Sequence, residues 1–277
     1  MSGSEVAWSL IPLASIAGYG AAMADNPPRI AAIVLAGGSG TRVRAARRTG
    51  TDPKTGPKTN KVYLSVGGRL LLAWSLQTLD AHPQVMSIVV AVRAGDEAVL
   101  DELLRSAALT TPVHTVIGGT TRSASERAAL DLLRPTIESG ALELVLIHDG
   151  ARPFPGLAMV DRVVQAARTH GGAIPGLAPE RPVLQVEPGG GIAMKLDQST
   201  LRRVQTPQGF EASALIEAYD EAARAGFDGV DTAEVVAAFA GVRAKVVPGD
   251  PDNIKVTTAA DLDVAEAIAA RLSREGR

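Results

Sequence analysis

The chain contains no cysteine. That rules out disulfides, thiolate nucleophiles and cysteine-ligated zinc, and it is the usage expected of a cytoplasmic protein. Histidine is scarce too. The 4 present are scattered and form no H-E-x-x-H pairing, so a histidine metal site is not expected. Aromatics make up only 3% of the residues, so any core must be built from alanine, valine, leucine and isoleucine. Charge is nearly balanced at a formal net value of −2, and no global basic field recommends a nucleic-acid partner. The apolar stretch near the start, residues 7–24, is mild and broken by Pro12, Gly18 and Gly20. It is too weak for a membrane span. It also lacks the positively charged start of a secretory signal, Glu5 being its one early charge. Residues 1–28 therefore read as a disordered N-terminal extension, with Met23 a candidate native start, and no membrane partner is expected.

What the chain has in quantity is aliphatic sequence. Hydrophobic residues are 46% of 277, and strand-like runs alternate with helical spacings, which is the pattern of an α/β fold. The organising stretch is AAIVLAGGSGTRVR, residues 31–44. An apolar run, residues 30–35, reads as a fully buried strand. It breaks into Ala36, Gly37, Gly38, Ser39, Gly40 and Thr41, followed by Arg42 and Arg44. Glycines let a backbone approach a ligand closely, because no Cβ intervenes. Successive N–H groups in such a turn form a nest for phosphate oxygens. A plain glycine-rich turn is the competing reading. A Rossmann loop would need a third glycine after Gly40, and a Walker A loop would need G-K-[ST]; neither is there.

Residues 45–60 are polar, basic and rich in glycine, proline and threonine. They read equally as a solvated linker or as a basic lid over phosphates. Residues 61–68 suggest a short strand and a turn, 70–81 a helix, 87–92 a buried strand and 96–107 another helix. Strand 113–117 ends in Gly118-Gly119 and leads through Thr120, Thr121 and Arg122 into a helix to about residue 133. Strand 142–147 ends in His148-Asp149-Gly150-Ala151-Arg152-Pro153. Three apolar strands thus end in polar turns with glycine, and a parallel sheet gathers such turns along one edge, where ligands bind. A helix over 156–170 and a strand over 172–177 follow. Segment 178–196, with Pro179, Pro182, Pro188 and three successive glycines, reads as a projecting hairpin arm. Residues 201–208 lead into a helix over 211–225. Acid residues Asp231 and Glu234 open another where the helix dipole favours them. A strand over 245–248 and a terminal helix from Ala259 close the chain.

Assembled, these motifs resemble those of the 2-C-methyl-D-erythritol 4-phosphate cytidylyltransferase family, over about residues 30–270. The carrying motifs are AGGSGTR, the lysine of NKVYLSVGG, GGTTRSAS, HDGARP, QTPQGF and DNIKVT. Hexose 1-phosphate nucleotidyltransferases share the glycine loop but not HDGARP with QTPQ. The resemblance implies a three-layer, Rossmann-like nucleotidyltransferase domain over residues 29–277, with a mostly parallel sheet and segment 178–196 as a dimerisation β-arm. It implies a homodimer that transfers CMP from CTP to a polyol phosphate. The first expected acceptor is 2-C-methyl-D-erythritol 4-phosphate, which gives 4-diphosphocytidyl-2-C-methyl-D-erythritol and pyrophosphate for isoprenoid precursors.

The same resemblance assigns roles. Arg42, Lys61 and Lys255 are the catalytic cations that neutralise the triphosphate and the transition state. Ala36, Gly37, Gly38, Ser39, Gly40 and Thr41 cradle the nucleotide. Gly118, Gly119, Thr120 and Ser125 read cytosine, although Ser125 also reads as a helix-cap serine. Asp149 and Gly150 lie on the ribose side, with Asp149 facing Mg²⁺ that is held mainly through the triphosphate. Arg152 meets the acceptor phosphate, or else forms an ion pair that stiffens its loop. Thr206 lines the polyol site, and Arg122 is structural or close to phosphate.

Departures from the family pattern fall mostly on the acceptor side. The arm reads Glu180-Arg181-Pro182-Val183-Leu184, without the family D-T-x-K, and Gln198 stands where the family has arginine. Arg181, Lys195 and Arg202 are candidate substitutes. Asn60 replaces the proline that precedes the family lysine. Ribitol 5-phosphate or another polyol phosphate is therefore an alternative acceptor, and a catalytically weak nucleotide-binding paralogue is an alternative function.

Overall fold

The computed structural model describes residues 29–38 and 60–276. Strand β1 (Ile30–Leu35) is buried from Ile30 to Val34. A short 3-10 turn (Lys61–Tyr63) leads to a small hairpin, β2 (Ser65–Val66) and β3 (Arg69–Leu70). Helix α1 (Leu71–Asp80), strand β4 (Val85–Val92), helix α2 (Glu97–Ala107), strand β5 (Val113–Ile117), helix α3 (Arg122–Glu138), strand β6 (Leu144–Asp149), helix α4 (Leu157–His170) and strand β7 (Gly172–Leu177) then alternate. Strands β8 (Leu184–Val186) and β9 (Ile192–Lys195) form a separate antiparallel hairpin. Short strands β10 (Arg203–Val204) and β11 (Gln208–Glu211), helices α5 (Ala212–Arg224) and α6 (Thr232–Phe239), strand β12 (Lys245–Pro248) and helix α7 (Ala259–Arg274) complete the order.

The main sheet runs β10-β7-β11-β6-β1-β4-β5, with β12 also paired to β7. Strand β1 is parallel to both β4 and β6, and β5 is parallel to β4. Only β10 and β11 run against their neighbours. Side chains alternate between faces along a strand, and each face of β1 has its own core. Ile30, Ala32 and Val34 pack with Leu72 and Leu76 of α1, Leu100 of α2 and Val163 of α4. Ala31 and Ile33 pack with Leu130 and Leu133 of α3, Leu215 of α5 and Val235 of α6. The result is the expected α/β fold, three layers with a mostly parallel sheet in the middle. A third cluster docks α7 through Leu262, Ile268 and Leu272 against Val66, Trp74 and Phe154. No helix among the described residues is long and apolar enough to cross a membrane.

Several elements depart from the sequence expectation. Residues 61–63 form a 3-10 turn rather than a strand, because Asn60 caps them, its side chain accepting from the Val62 N–H. Helix α3 continues past its expected end to Glu138, with Pro135 inside. Proline removes one N–H there, but burial of Thr136 and Ile137 holds the last turn in place. Strand β6 continues through Asp149, which pairs with Leu35 of β1. His148 and Asp149 therefore belong to the strand, not to the turn after it. Residues 201–208 were expected only as a lead-in; they contribute β10 and the start of β11, on either side of a cis Thr206–Pro207 bond.

Ile33 is fully buried at the centre of the sheet. Ile33→Ala should cost about 2–5 kcal/mol, the range for large-to-small core changes. Urea denaturation measures it, and a loss below about 1 kcal/mol would contradict a close-packed layer at that position.

Candidate active site

Four parallel strands end at one edge, and backbone bonds join their ends. The Ala36 N–H donates to Ala91 O at 2.8 Å, the Gly118 N–H to Val92 O at 2.7 Å, and the Gly150 N–H to Leu35 O at 3.0 Å. Two glycines are needed for this closeness. A Cβ on Gly150 would stand 3.0 Å from Leu35 O, and one on Gly119 would stand 2.4 Å from the Cβ of Ala124. A cavity of about 480 Å³ opens at this edge, within the size range of small-molecule sites. Its described lining includes Gly37, Gly38, Lys61, Gly119, Thr120, Arg122, Ser125, Asp149 and Lys255. Ala36 and Gly118 lie just behind it, in the strand-end backbone bonds. Ser39, Gly40, Thr41 and Arg42 lie outside the described residues, as do residues 1–28 and the loop residues 45–59.

Asp149 is the charge centre. Its side chain is only 9% exposed, yet it meets Lys255 Nζ at 2.7 Å, Arg152 Nε at 3.6 Å, and Arg122 Nη1. Burial disfavours its charged form, but Arg122 and Lys255 outweigh burial and hold the carboxyl far below the usual carboxylate range. Lys61 Nζ donates to Val256 O at 2.8 Å. Both catalytic-lysine candidates thus sit beside one segment, residues 255–256. Among the described residues, the cationic side chains on the cavity wall are Lys61, Arg122 and Lys255, against the single carboxylate of Asp149. The wall therefore carries excess positive charge, suited to an anionic ligand.

The Asp149 backbone is locked from below. Its N–H donates to Thr206 Oγ1 at 3.0 Å, and Thr206 Oγ1 stands 3.2 Å from His148 Nδ1. His148 Nε2 stands 2.9 Å from Arg152 O. A consistent assignment has Thr206 donating to Nδ1 and Nε2–H donating to the carbonyl, which is a neutral imidazole. Thr206 is 4% exposed and is not among the described residues lining this cavity. Its hydroxyl is committed to Asp149 and His148. Arg152 likewise spends its donors on backbone, Nη1 on Asn253 O at 2.9 Å and Nη2 on Val204 O at 3.3 Å. Ser125 lines the cavity, while its hydroxyl donates to Thr121 O at 2.9 Å, as a serine in the first turn of a helix commonly does.

One functional residue was read in sequence only as a departure. Asn60 is fully buried. Its Nδ2 donates to Ala36 O and, at 3.3 Å, to Asp96 Oδ2. It thereby ties the turn that carries Lys61 to the end of β1. The signal that could have found it is the preference of asparagine for helix N-caps.

The donor set does not suit a magnesium site of the protein's own. Magnesium prefers one or two carboxylates together with phosphates and water. Asp149 is the one carboxylate on the described wall, and Arg122 and Lys255 already share it.

The chain was then compared with known proteins. The family model described as IspD, 2-C-methyl-D-erythritol 4-phosphate cytidylyltransferase, matches residues 30–271. A 2-C-methyl-D-erythritol 4-phosphate cytidylyltransferase of Geobacillus thermodenitrificans is 36% identical over 239 residues, covering 86% of this chain and 96% of the relative. A bifunctional enzyme IspD/IspF of Mesorhizobium japonicum is 36% identical over 249 residues, covering 89% of this chain and 56% of the relative. The chain thus spans about half the length of the bifunctional relatives it matches. Among solved structures, the 4-diphosphocytidyl-2C-methyl-D-erythritol synthase of Anaerococcus prevotii superposes with a TM-score of 0.73 at 26% identity, covering 88% of this chain and 99% of that one.

Burial pushes the His148 pKa down to about 4. Between that value and the ordinary value of about 6.5, the unfolded chain binds a proton that the folded chain does not. The stability tied to neutral His148 is therefore complete above about pH 6.5 and is lost as the pH falls toward 4. Burial also lowers the pKa of His82, which adds in the same direction. The urea midpoint should fall between pH 7 and pH 5, and should fall less in His148→Asn. Equal falls in both proteins would place the acid sensitivity elsewhere.

Proposed function

The chain belongs to the 2-C-methyl-D-erythritol 4-phosphate cytidylyltransferase family, and from that premise we propose that it transfers CMP from CTP to the phosphate of 2-C-methyl-D-erythritol 4-phosphate, in isoprenoid precursor biosynthesis. The observation that carries the reading is the cavity itself. It is lined by glycine turns at the ends of parallel strands, by Lys61 and by the Lys255–Asp149 pair.

In this reading a phosphate oxygen of the acceptor attacks the α-phosphorus of CTP. The new P–O bond forms as the bond to the β-phosphate oxygen breaks, and pyrophosphate leaves with the electron pair. Negative charge grows around the α-phosphorus, so the chain's task is to position and neutralise. Backbone donors of Ala36, Gly37 and Gly38, together with Ser39, Gly40 and Thr41, serve the triphosphate. Lys61 and Arg42 neutralise it. Lys255, held by Asp149, faces the α-phosphate. Gly118, Gly119, Thr120 and Ser125 select the base by hydrogen bonds, and Asp149 and Gly150 border the ribose. Arg152 adds charge where the acceptor phosphate arrives, and Thr206 acts by fixing Asp149. Mg²⁺ accompanies the triphosphate. The altered arm favours a second reading for the acceptor, ribitol 5-phosphate or another polyol phosphate. Lys195 and Arg202 lie on or beside the arm as substitute cations.

We further propose a cytoplasmic homodimer formed through the hairpin of β8 and β9. In support, Leu184, Val186, Ile192 and Met194 are 43–68% exposed on that hairpin. Apolar side chains grouped in this way mark an interaction surface.

Lys61→Ala should lower kcat about 100-fold or more while changing CTP affinity less, as for a group whose interaction strengthens in the transition state. Pyrophosphate release measures it, and an unchanged kcat removes Lys61 from the mechanism. Across a panel of methylerythritol, ribitol and erythritol phosphates, turnover with the first supports the proposed acceptor. Turnover only with another transfers the assignment, and no turnover while CTP still binds favours the weak paralogue. Ile192→Glu should convert the dimer to monomer in sedimentation, and a dimer that persists would place the interface elsewhere.

A further inference from the structure

One turn beyond Arg122 on α3, Glu126 is 1% exposed. A carboxylate is seldom buried so deeply without partners, and this one has an ion pair within α3 and hydroxyl donors from two other helices. Arg122 Nε lies 3.0 Å from its Oε1. Thr232 Oγ1, on α6, donates to the same oxygen at 2.9 Å. The Tyr219 hydroxyl, on α5, donates to Oε2. Burial pushes the Glu126 pKa up, and Arg122 and the two hydroxyls pull against it.

Glu126 is not on the cavity wall, but Arg122 is. Arg122 is the first residue of α3, where the helix dipole repels a cation. It is held there by two carboxylates, Nε toward Glu126 and Nη1 toward Asp149. Those two outweigh its burial and raise its pKa above the ordinary arginine value. Its Nε, although ion-paired with Glu126, and its Nη2 are buried and have no hydrogen-bond partner among the described residues. An unmatched donor of this kind costs free energy unless a ligand supplies the acceptor.

We propose that Glu126 is a positioning residue for nucleotide binding, fixing the Arg122 guanidinium on the wall of the nucleotide cavity so that its Nη1 shares Asp149 with Lys255. Without Glu126 the guanidinium keeps a single anionic partner. It is then free to close on both oxygens of Asp149 and compete with Lys255 for Oδ2. Tyr219 and Thr232 act one step further back, by holding Glu126. The inference rests on the CTP reading of the cavity.

The test is calorimetric CTP binding in the presence of Mg²⁺ to the full chain, for wild type, Glu126→Gln, Arg122→Met and the double variant. If Glu126 acts through Arg122, Glu126→Gln weakens CTP binding about tenfold in the wild-type background and less than about twofold once Arg122 is gone, since coupled residues are not additive. A merely structural role would weaken binding equally in both backgrounds, and that result overturns the proposal, as does no weakening in the wild-type background. Tyr219→Phe and Thr232→Val each remove one donor from Glu126 and cover the case in which Glu126→Gln does not fold, as checked by thermal melting. Each should weaken binding about two- to fivefold, again only while Arg122 is present, and unchanged affinity in both overturns the proposal. Wild type that does not bind CTP at all sinks the CTP reading and this inference together. Wild type that binds, with additive variants, counts against Glu126 alone.

Discussion

Taking the Asp149 carboxylate out of water is the constraint on which the site depends. Burial of one ion costs several kcal/mol, and only close opposite charges with good geometry repay it. Here the compensating cations are Arg122, Arg152 and Lys255. They come from the start of α3, the turn after β6 and the segment between β12 and α7. A carboxylate that needs all three holds three distant parts of the chain in one place. The dependence is mutual, since removing the carboxylate would leave Arg122 and Arg152, both mostly buried, without their shared anion.

The position of Asp149 follows from the sheet. Strand β6 is parallel to β1 and pairs with it to its last residue, so the carboxylate emerges beside the glycine turn at Gly37 and Gly38. Gly150 then lets the chain turn against Leu35. Beneath, the Thr206 hydroxyl joins the Asp149 backbone to His148. This makes the antiparallel excursion through β10 and β11 part of the site. What faces the cavity is an arrangement of cations fixed before any ligand arrives. Such preorganisation is where catalysis of phosphorus chemistry finds most of its energy.

Much of this was legible in the chain. The aliphatic runs at residues 30–35 and 88–92 read as buried strands, since a central parallel strand hides its apolar side chains on both faces, and both are buried. Glycine turns after the strands at 30–35 and 113–117 marked the ligand edge. The segment expected as an arm does form a hairpin. What failed was local reading where long-range partners decide. Residues 203–211 carry little strand signal, yet they pair with β6 and β7. Asn60 was read as a weakened motif, whereas its amide bonds span to Ala36 and Asp96, residues 24 and 36 positions away in sequence. The Arg152 ion pair with Asp149, the alternative that the sequence offers, and its backbone bonds to Asn253 and Val204 come from the tertiary structure, as does the bond from the Asp149 N–H to Thr206.

The layered α/β order, the edge at which the cavity opens and the residue types gathered there are legible in the chain alone. These depend on periodicity and on glycine, which act over a few residues. Which cation meets Asp149, how Asp149 and Glu126 share Arg122, and how Thr206 and His148 support Asp149 from behind depend on contacts made across the fold. Ion pairs and buried hydrogen bonds join residues tens to more than a hundred positions apart, and their worth depends on burial and on distances that no local pattern in the chain encodes.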